Sequence, residues 1–180
     1  MRRKDREVTD AGKIREAIEA SHCCRLGFYD EGEVYIVPMN FGYTEEEEKR
    51  IFYFHSAKEG RKIELISRTH SAGFELDTNY QLHEGEKACQ YSAGFLSVIG
   101  TGNIDFVEDR ESKKSALQTI MLHNTGKSNW EFSLSFLLIS FLLNSFPFSI
   151  SHLLILGTAD QYLFSIIKGI LRGCKGIDKT

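Results

Sequence analysis

Residues 51–66 read IFYFHSAKEGRKIELI, and within this stretch an aromatic run changes abruptly to a polar turn. The aromatic run is typical of a β-strand. Apolar residues return from Ile63 onward at spacings that fit one side of a short helix. We therefore predict a strand that ends near His55, a turn, and a helix that begins near Gly60. The polar turn between them raises the question of function.

This turn contains the parts of a phosphate site. The start of a helix offers free backbone N–H groups and the positive end of the helix dipole, and both favour an anion. Ser56 can donate a hydroxyl hydrogen bond, and Lys58, Arg61 and Lys62 supply cationic donors. Gly60 permits close approach of the backbone. The spacing is not that of a P-loop, and a solvated helix start with ordinary surface lysines explains the same residues. Both interpretations stay open on residue types alone.

Two flanking stretches are further candidates. In VPMNFGY, Pro38 and Met39 interrupt a strand and leave backbone groups free, and Asn40 can donate or accept a hydrogen bond. In FLSVIGTG, Ser97 precedes two glycines, which suggests close approach of a ligand or of a second subunit. An irregular edge strand and a bend in a barrel are the plain structural explanations of these two stretches.

Composition excludes several classes of function. The 180 residues indicate one domain, and a net charge of −3 with a pI of about 6.1 argues against nucleic-acid binding. The four cysteines and six histidines show no metal-binding spacing, so we predict no metal and reduced thiols in a cytoplasmic protein. The charged N-terminus lacks the apolar region of a signal peptide. Motifs of serine hydrolases, zinc proteases and dinucleotide-binding folds do not occur.

Strand pairs joined by turns dominate the predicted order of elements. Helices are predicted at 11–21, 59–69 and 109–126, and strands at 24–29, 33–43, 50–56, 71–77 and 95–109. Residues 44–50 read as a solvated loop and residues 78–94 as a long connection without periodicity. Regular alternation of strands and helices does not fit this order. We therefore predict a mainly β protein, a small antiparallel barrel with peripheral helices.

Five stretches in this order, MRRKDREVTD, EVYIVPMNFGY, IFYFHSAKEGRKIELI, EGEKAC and YSAGFLSVIGTGNIDFVED, resemble the pyridoxamine 5'-phosphate oxidase-like flavoproteins. The nitroimidazole-resistance type is the more similar branch. The resemblance covers about residues 1–130. It implies a split β-barrel, antiparallel and Greek-key-like, that binds FMN. It also implies a homodimer with the flavin at the subunit interface.

The resemblance also implies which residues form the site. His55 matches the active-site histidine, to which we assign the role of a general acid. Ser97 and Val98 match a segment that approaches the flavin, across the dimer interface. The turn that binds the FMN phosphate is matched by Ser56, Ala57, Lys58 and Lys62. The strand along the isoalloxazine ring is matched by Pro38, Met39 and Asn40.

The implied chemistry is electron or hydride transfer from FMN to a small molecule, with reduction of a nitro group on 5-nitroimidazoles as the model reaction. Alternatives are a non-catalytic flavin- or haem-binding module and a pyridoxamine 5'-phosphate oxidase-like enzyme. A deazaflavin or haem in place of FMN stays open. A third class is a membrane-associated protein whose C-terminal part carries the function.

The C-terminal part departs from the family pattern, in which a late strand of alternating apolar and charged residues closes the barrel. From Phe132 to Ala159 the chain has no Asp, Glu, Lys or Arg. A membrane anchor fits the length, although Asn144, Pro147 and His152 weaken it. A buried helix pair is a second interpretation. We favour a third, a change of reading frame or retained non-coding stretch, which predicts a barrel domain at 1–130, an atypical tail at 131–180 and a missing closing strand.

Overall fold

Antiparallel strands form the centre of the molecule in the computed structural model, which describes residues 7–46, 49–134 and 141–156. Three α-helices pack around the strands within these ranges. The strands are β1 (Cys24–Asp30), β2 (Glu33–Met39), β3 (Phe41–Glu46), β4 (Lys49–Ser56), β5 (Ser71–His83), β6 (Ser92–Val107) and β7 (Phe141–Leu156), and the helices are α1 (Ala11–Glu19), α2 (Arg61–Thr69) and α3 (Arg110–Thr125).

The seven strands form one sheet in the order β2-β1-β5-β6-β7-β4-β3, and every pairing is antiparallel. The two edge strands of this order, β2 and β3, are consecutive in the chain and separated only by Asn40. The sheet must therefore curl until its two edges approach each other. This arrangement confirms the predicted mainly β fold with peripheral helices.

The predicted hairpin of β1 and β2 is present, with Asp30 opposite Glu33 at its end. Glu31 and Gly32 both have positive φ, 49° and 102°, as a two-residue hairpin turn requires. The segment 33–43, predicted as one strand, is two strands because the chain turns away from β1 at Asn40 and continues in the pairing with β4.

The predicted loop at 44–50 is largely strand, since β3 extends to Glu46 and β4 begins at Lys49. A charge network explains why this acidic stretch pairs. Glu45 lies opposite Arg50 in the ladder and accepts hydrogen bonds from Arg50 Nε at 3.0 Å and from Tyr43 Oη at 2.7 Å. Arg15 of α1 pairs with the same carboxylate. Opposite charges on neighbouring strands stabilise pairing that polar composition alone would not suggest.

The predicted connection at 78–94 is also more regular than expected. β5 continues to His83 and β6 begins at Ser92, with a short 3₁₀-helix at Ala88–Gln90 between them. Their pairing shifts register between Thr78 and Gln81. The residues of β5 beyond this shift are exposed, so neither face is buried and no apolar periodicity marks the strand.

The uncharged C-terminal stretch contributes β7, which pairs with β6 along most of its length and with β4 at Phe52–Ser56. The prediction that the closing strand is missing is therefore wrong, and so is a buried helix pair at these residues. Residues 135–140 and 157–180 of the predicted tail lie outside the described residues. The boundary at 130, the reading-frame change and the anchor stay predictions.

No helix in the described ranges is both long and apolar enough to cross a membrane.

The interior of the curled sheet is a cluster of aromatic rings. Phe52 is at its centre, with ring centroids 5.2 Å from Phe41, 6.2 Å from Phe54 and 5.3 Å from Phe74. α1 adds Ile14, Ala17 and Ile18 to this core, and α2 adds Leu65 and Ile66. α2 therefore lies over the interior end of the sheet, directly after the turn that follows β4.

α3 covers the outer face of β3 and β4. Gly42 of β3 permits this contact, because a Cβ at that position would lie 2.5 Å from the backbone nitrogen of Ile120. The helix begins at the cap Asp109, whose carboxylate accepts from the Ser112 backbone N–H at 2.8 Å. It ends at the C-cap Gly126, with a φ of 68°, which agrees with the predicted end of the helix at residue 126.

Candidate functional site

The end of β4 presents its last two side chains to opposite faces of the sheet. Phe52 and Phe54 are buried in the core, and because side chains alternate along a strand, Ser56 faces the same interior side. Its hydroxyl oxygen is shielded from water and has no hydrogen-bond partner among the described residues. An unsatisfied buried hydroxyl costs about 1–3 kcal/mol. Among the described residues, the Ser56 hydroxyl is therefore a hydrogen-bonding group that a bound ligand could satisfy.

The turn after Ser56 leads into the N-terminus of α2, as predicted. Ala57, Lys58 and Glu59 are exposed, and Gly60 is the N-cap residue, with a φ of 120° and no side-chain capping hydrogen bond. The backbone N–H of Ile63 already donates to the Gly60 carbonyl at 2.8 Å. The N–H groups of Arg61 and Lys62 precede this bond, and the first N–H groups of a helix have no partner within the helix itself.

Of the three cations predicted for the turn, Arg61 is directed elsewhere. Its Nε donates to Asp30 Oδ2 at 3.1 Å and its Nη2 to Glu33 Oε2 at 3.1 Å. Its guanidinium also lies 5.1 Å from the centroid of the Tyr35 ring. Lys58 and Lys62 are then the cations of the turn for which the structure records no ion pair among the described residues.

His55 lies on the face of β4 opposite to Ser56, on the outer side of the sheet. It retains solvent exposure, yet the surrounding protein removes enough water to lower the pKa of its imidazole. The ladder between β3 and β4 begins at the pair Phe41 and Phe54, and Asn40 and His55 are the residues directly beyond this pair on the two chains. The two predicted site residues therefore lie at the same end of this ladder.

The segment 38–40 divides between the two faces. Pro38 is exposed on the outer face, opposite Arg25, whereas Met39 is buried in the core. Only the backbone of Met39 is therefore available to a ligand on the outer face. Asn40 is exposed, and its amide donates to the backbone carbonyl of His22 at 3.1 Å, which ties the junction of β2 and β3 to the start of β1.

Ser97 and Val98 belong to a different part of the sheet from the β4 turn. In the strand order, β7 separates β6 from β4 on one side, and β5, β1, β2 and β3 do so on the other side of the curled sheet. Ser97 is buried and its hydroxyl donates to Glu75 Oε1 at 3.0 Å, while Val98 is part of the core. Within one chain these two residues do not join Ser56 and His55.

Sequence reasoning missed two ionic clusters. Arg25 of β1 donates to Glu75 Oε2 at 2.9 Å and also pairs with Asp77, beside Ser97. Asp30, at the end of β1, pairs with both Arg61 and Arg68 of α2. A signal for the second cluster exists, because Asp30 continues the buried alternation of β1 with an acidic residue. The described residues contain no group of histidines, cysteines and carboxylates that could hold a metal ion.

Comparisons with known proteins agree with this fold. A family model described as pyridoxamine 5'-phosphate oxidase matches residues 10–135. A solved protein from Bacteroides thetaiotaomicron, provisionally assigned to 5-nitroimidazole antibiotic resistance, is 30% identical with a TM-score of 0.68, over 82% of this chain and 83% of that chain. These matches confirm the family resemblance seen in the sequence.

Two solved structures with lower sequence identity are similar to this chain in fold only. A flavocytochrome from Azotobacter vinelandii has a TM-score of 0.64 at 14% identity, over 91% of this chain and 78% of that chain. An FAD- and haem-binding protein from Mycobacterium smegmatis has a TM-score of 0.66 at 11% identity, over 91% of this chain and 80% of that chain. No curated protein sequence matches the chain.

Proposed function

Because the chain belongs to the pyridoxamine 5'-phosphate oxidase family, we propose that it is an FMN-binding oxidoreductase that holds the flavin phosphate at the turn between β4 and α2. The observation that carries this proposal is the Ser56 hydroxyl, which is shielded from water and has no partner among the described residues. A phosphate oxygen beside it accepts its hydrogen bond and removes the cost of burying it unsatisfied.

The other groups of the turn fit the same ligand. The exposed backbone from Ala57 to Gly60 and the uncapped start of α2 provide N–H donors for an anion. Lys58 and Lys62 provide two positive charges, which match the charge of about −2 on a phosphate monoester at neutral pH. Arg61 is already neutralised by Asp30 and Glu33, so the charge balance does not depend on it.

We place the isoalloxazine ring along the backbone of residues 38–40, on the outer face at the end of the ladder where Asn40 and His55 lie. When bound, FMN supplies the electron or hydride transfer. The residues of this chain then orient the ring and handle the proton. The lowered pKa of His55 leaves less of its imidazole protonated at neutral pH but makes the protonated form a stronger acid, and in the proposed role a ring nitrogen gives its proton to a substrate oxygen.

The proposed substrates are small nitroaromatic compounds, because the 30% identical relative is assigned to 5-nitroimidazole resistance. We also propose a homodimer. The outer face of β1 and β2 exposes Tyr29 and Val34, each 71% accessible and directly opposite each other, together with Ile36 at 61%. A second copy packed on this apolar face would cover it, and because the side chains of Ser97 and Val98 are buried, only the backbone of these residues in that copy would approach the flavin.

The experiment is a spectrum of the purified protein followed by turnover. We expect flavin absorbance, bleaching by NADH or NADPH under anaerobic conditions, and reoxidation by a 5-nitroimidazole. Bound flavin without reoxidation would refute the reductase and favour a non-catalytic module, and oxidation of pyridoxamine 5'-phosphate would favour the oxidase. A haem or deazaflavin spectrum would refute the choice of FMN.

The same preparation tests the proposed location. We expect the coloured protein in the cytoplasm. Its recovery only with membranes would instead support an anchor within residues 131–180.

A further inference from the structure

We propose that Asp30 is a positioning residue for the phosphate turn and that it acts through the two arginines of α2; this inference rests on the FMN site proposed above. Asp30 Oδ2 accepts from Arg61 Nε at 3.1 Å, and its Oδ1 pairs with Arg68. Arg61 is in the first turn of α2 and Arg68 in the last. One carboxylate therefore binds both ends of the helix.

The location of Asp30 makes it a firm anchor. It follows Cys24, Leu26 and Phe28 on the interior face of β1, the face that α2 covers. Its side chain is 19% accessible, but Arg61 and Arg68 are 44% and 51% accessible, so it is the two ion pairs together that hold the helix. The tight turn of the β1–β2 hairpin follows it directly, which limits its movement.

Through its ion pair with Arg61, Asp30 holds the start of α2 against the hairpin. Besides Asp30, Arg61 contacts Glu33 at 3.1 Å and lies over the Tyr35 ring, so three groups of one hairpin fix its guanidinium. It directly follows Gly60, whose φ of 120° and lack of a side-chain cap leave the helix start without local support from its cap residue. Long-range ion pairs to the hairpin take the place of a cap here.

The consequence concerns the geometry of the donors. The hydroxyl of Ser56 is fixed by β4, whereas the N–H groups of the first turn of α2 and Lys62 move with the helix. They converge on one phosphate only while α2 keeps its place against the hairpin. Because Asp30 neutralises Arg61 and does not face the turn itself, its loss affects the direction of these donors and leaves the charges of the two lysines intact.

The test compares Asp30→Asn with the matched control Glu31→Gln. Glu31 is the next residue and its replacement loses the same charge; within the described part of the chain its ion pair is a long one, 3.6 Å from Arg68 Nη1. The purified full-length proteins are titrated with FMN and with riboflavin, which lacks the phosphate. We expect Asp30→Asn to raise the Kd for FMN about fivefold, which is at the low end of the effects that one site typically has on the affinity of another. The Kd for riboflavin and both values for Glu31→Gln should stay within about twofold of wild type.

The outcomes separate the two proposals. Equal FMN affinity in Asp30→Asn and wild type overturns the positioning role while the FMN site stands. Tighter FMN binding by Asp30→Asn than by wild type also overturns it, since Arg61, released from Asp30, would then bind the phosphate itself. Equal losses for FMN and riboflavin indicate general damage and overturn it as well. A wild type that binds no flavin overturns both. If Asp30→Asn does not fold, Asp30→Glu, which keeps the charge but displaces the carboxylate from Arg61 and Arg68, must show a phosphate-specific loss.

Discussion

Replacing Ser56 by alanine should make the flavin-free protein more stable and its complex with FMN weaker. In the free protein the Ser56 hydroxyl is buried without a partner among the described residues. Its removal therefore relieves a desolvation penalty of about 1–3 kcal/mol that no hydrogen bond offsets. We expect a gain of about 1 kcal/mol in the free energy of unfolding, which for a chain of this size raises Tm by about 2–4 °C. In the complex the same change removes a hydrogen bond to a charged group, worth about 1.5–3 kcal/mol, so the Kd for FMN should rise tenfold or more.

The assays are urea unfolding of the flavin-free protein and fluorescence titration with FMN. Ser67→Ala is the matched control, because the Ser67 hydroxyl lies on the exposed side of α2 and donates to the Ile63 carbonyl at 2.9 Å. It should change both quantities little. A Ser56→Ala protein that is less stable without flavin, or that binds FMN as well as wild type, would show that the hydroxyl is not reserved for a ligand.

The other predictions concern the imidazole and the packing of α3. Because burial lowers the pKa of His55, the unfolded chain binds its proton more readily, so the stability linked to His55 is present above the unfolded pKa and is lost as the pH falls toward the folded pKa. Unfolding measured between pH 7 and pH 5 should therefore show a steeper loss for wild type than for His55→Gln, and parallel curves would contradict this. Gly42→Ala should destabilise by about 1–3 kcal/mol, since its Cβ would lie 2.5 Å from the Ile120 backbone nitrogen, whereas Gly27→Ala, whose nearest contact would be 3.9 Å away, should cost much less. Equal melting curves for the two glycine variants would refute the close approach of α3.

The parts of the site that the sequence predicts are those formed by neighbouring residues. The strand, the turn and the start of α2 are encoded within 51–66, where an aromatic run, Gly60 and an apolar helical face follow each other. The sequence leaves a phosphate site and a solvated helix start both open, and the burial of Ser56 Oγ, on which the proposal rests, could not be predicted because it depends on packing at the end of β4.

The features that were missed depend on distant partners. The role of Arg61 is set by Asp30, 31 residues earlier in the chain, and nothing near Arg61 in the sequence indicates this pairing. The orientation of Met39 into the core follows from the alternation of β2 and β3 across Asn40. The sequence did not predict β7, because this uncharged run has the composition of a membrane segment. Only its pairing with β4 and β6 distinguishes a strand from such a segment.

Titration of the wild-type protein with FMN and riboflavin under the same conditions decides whether the turn between β4 and α2 binds a phosphate. Ser56, Lys58 and Lys62 contact only the phosphate end in the proposed site. With charge-assisted bonds worth about 1.5–3 kcal/mol each, two such contacts predict that FMN binds at least about 100-fold more tightly than riboflavin. Added salt should reduce this ratio because the lysines are exposed to screening. Similar affinities for the two flavins, or no binding of either, would contradict the assignment of this turn.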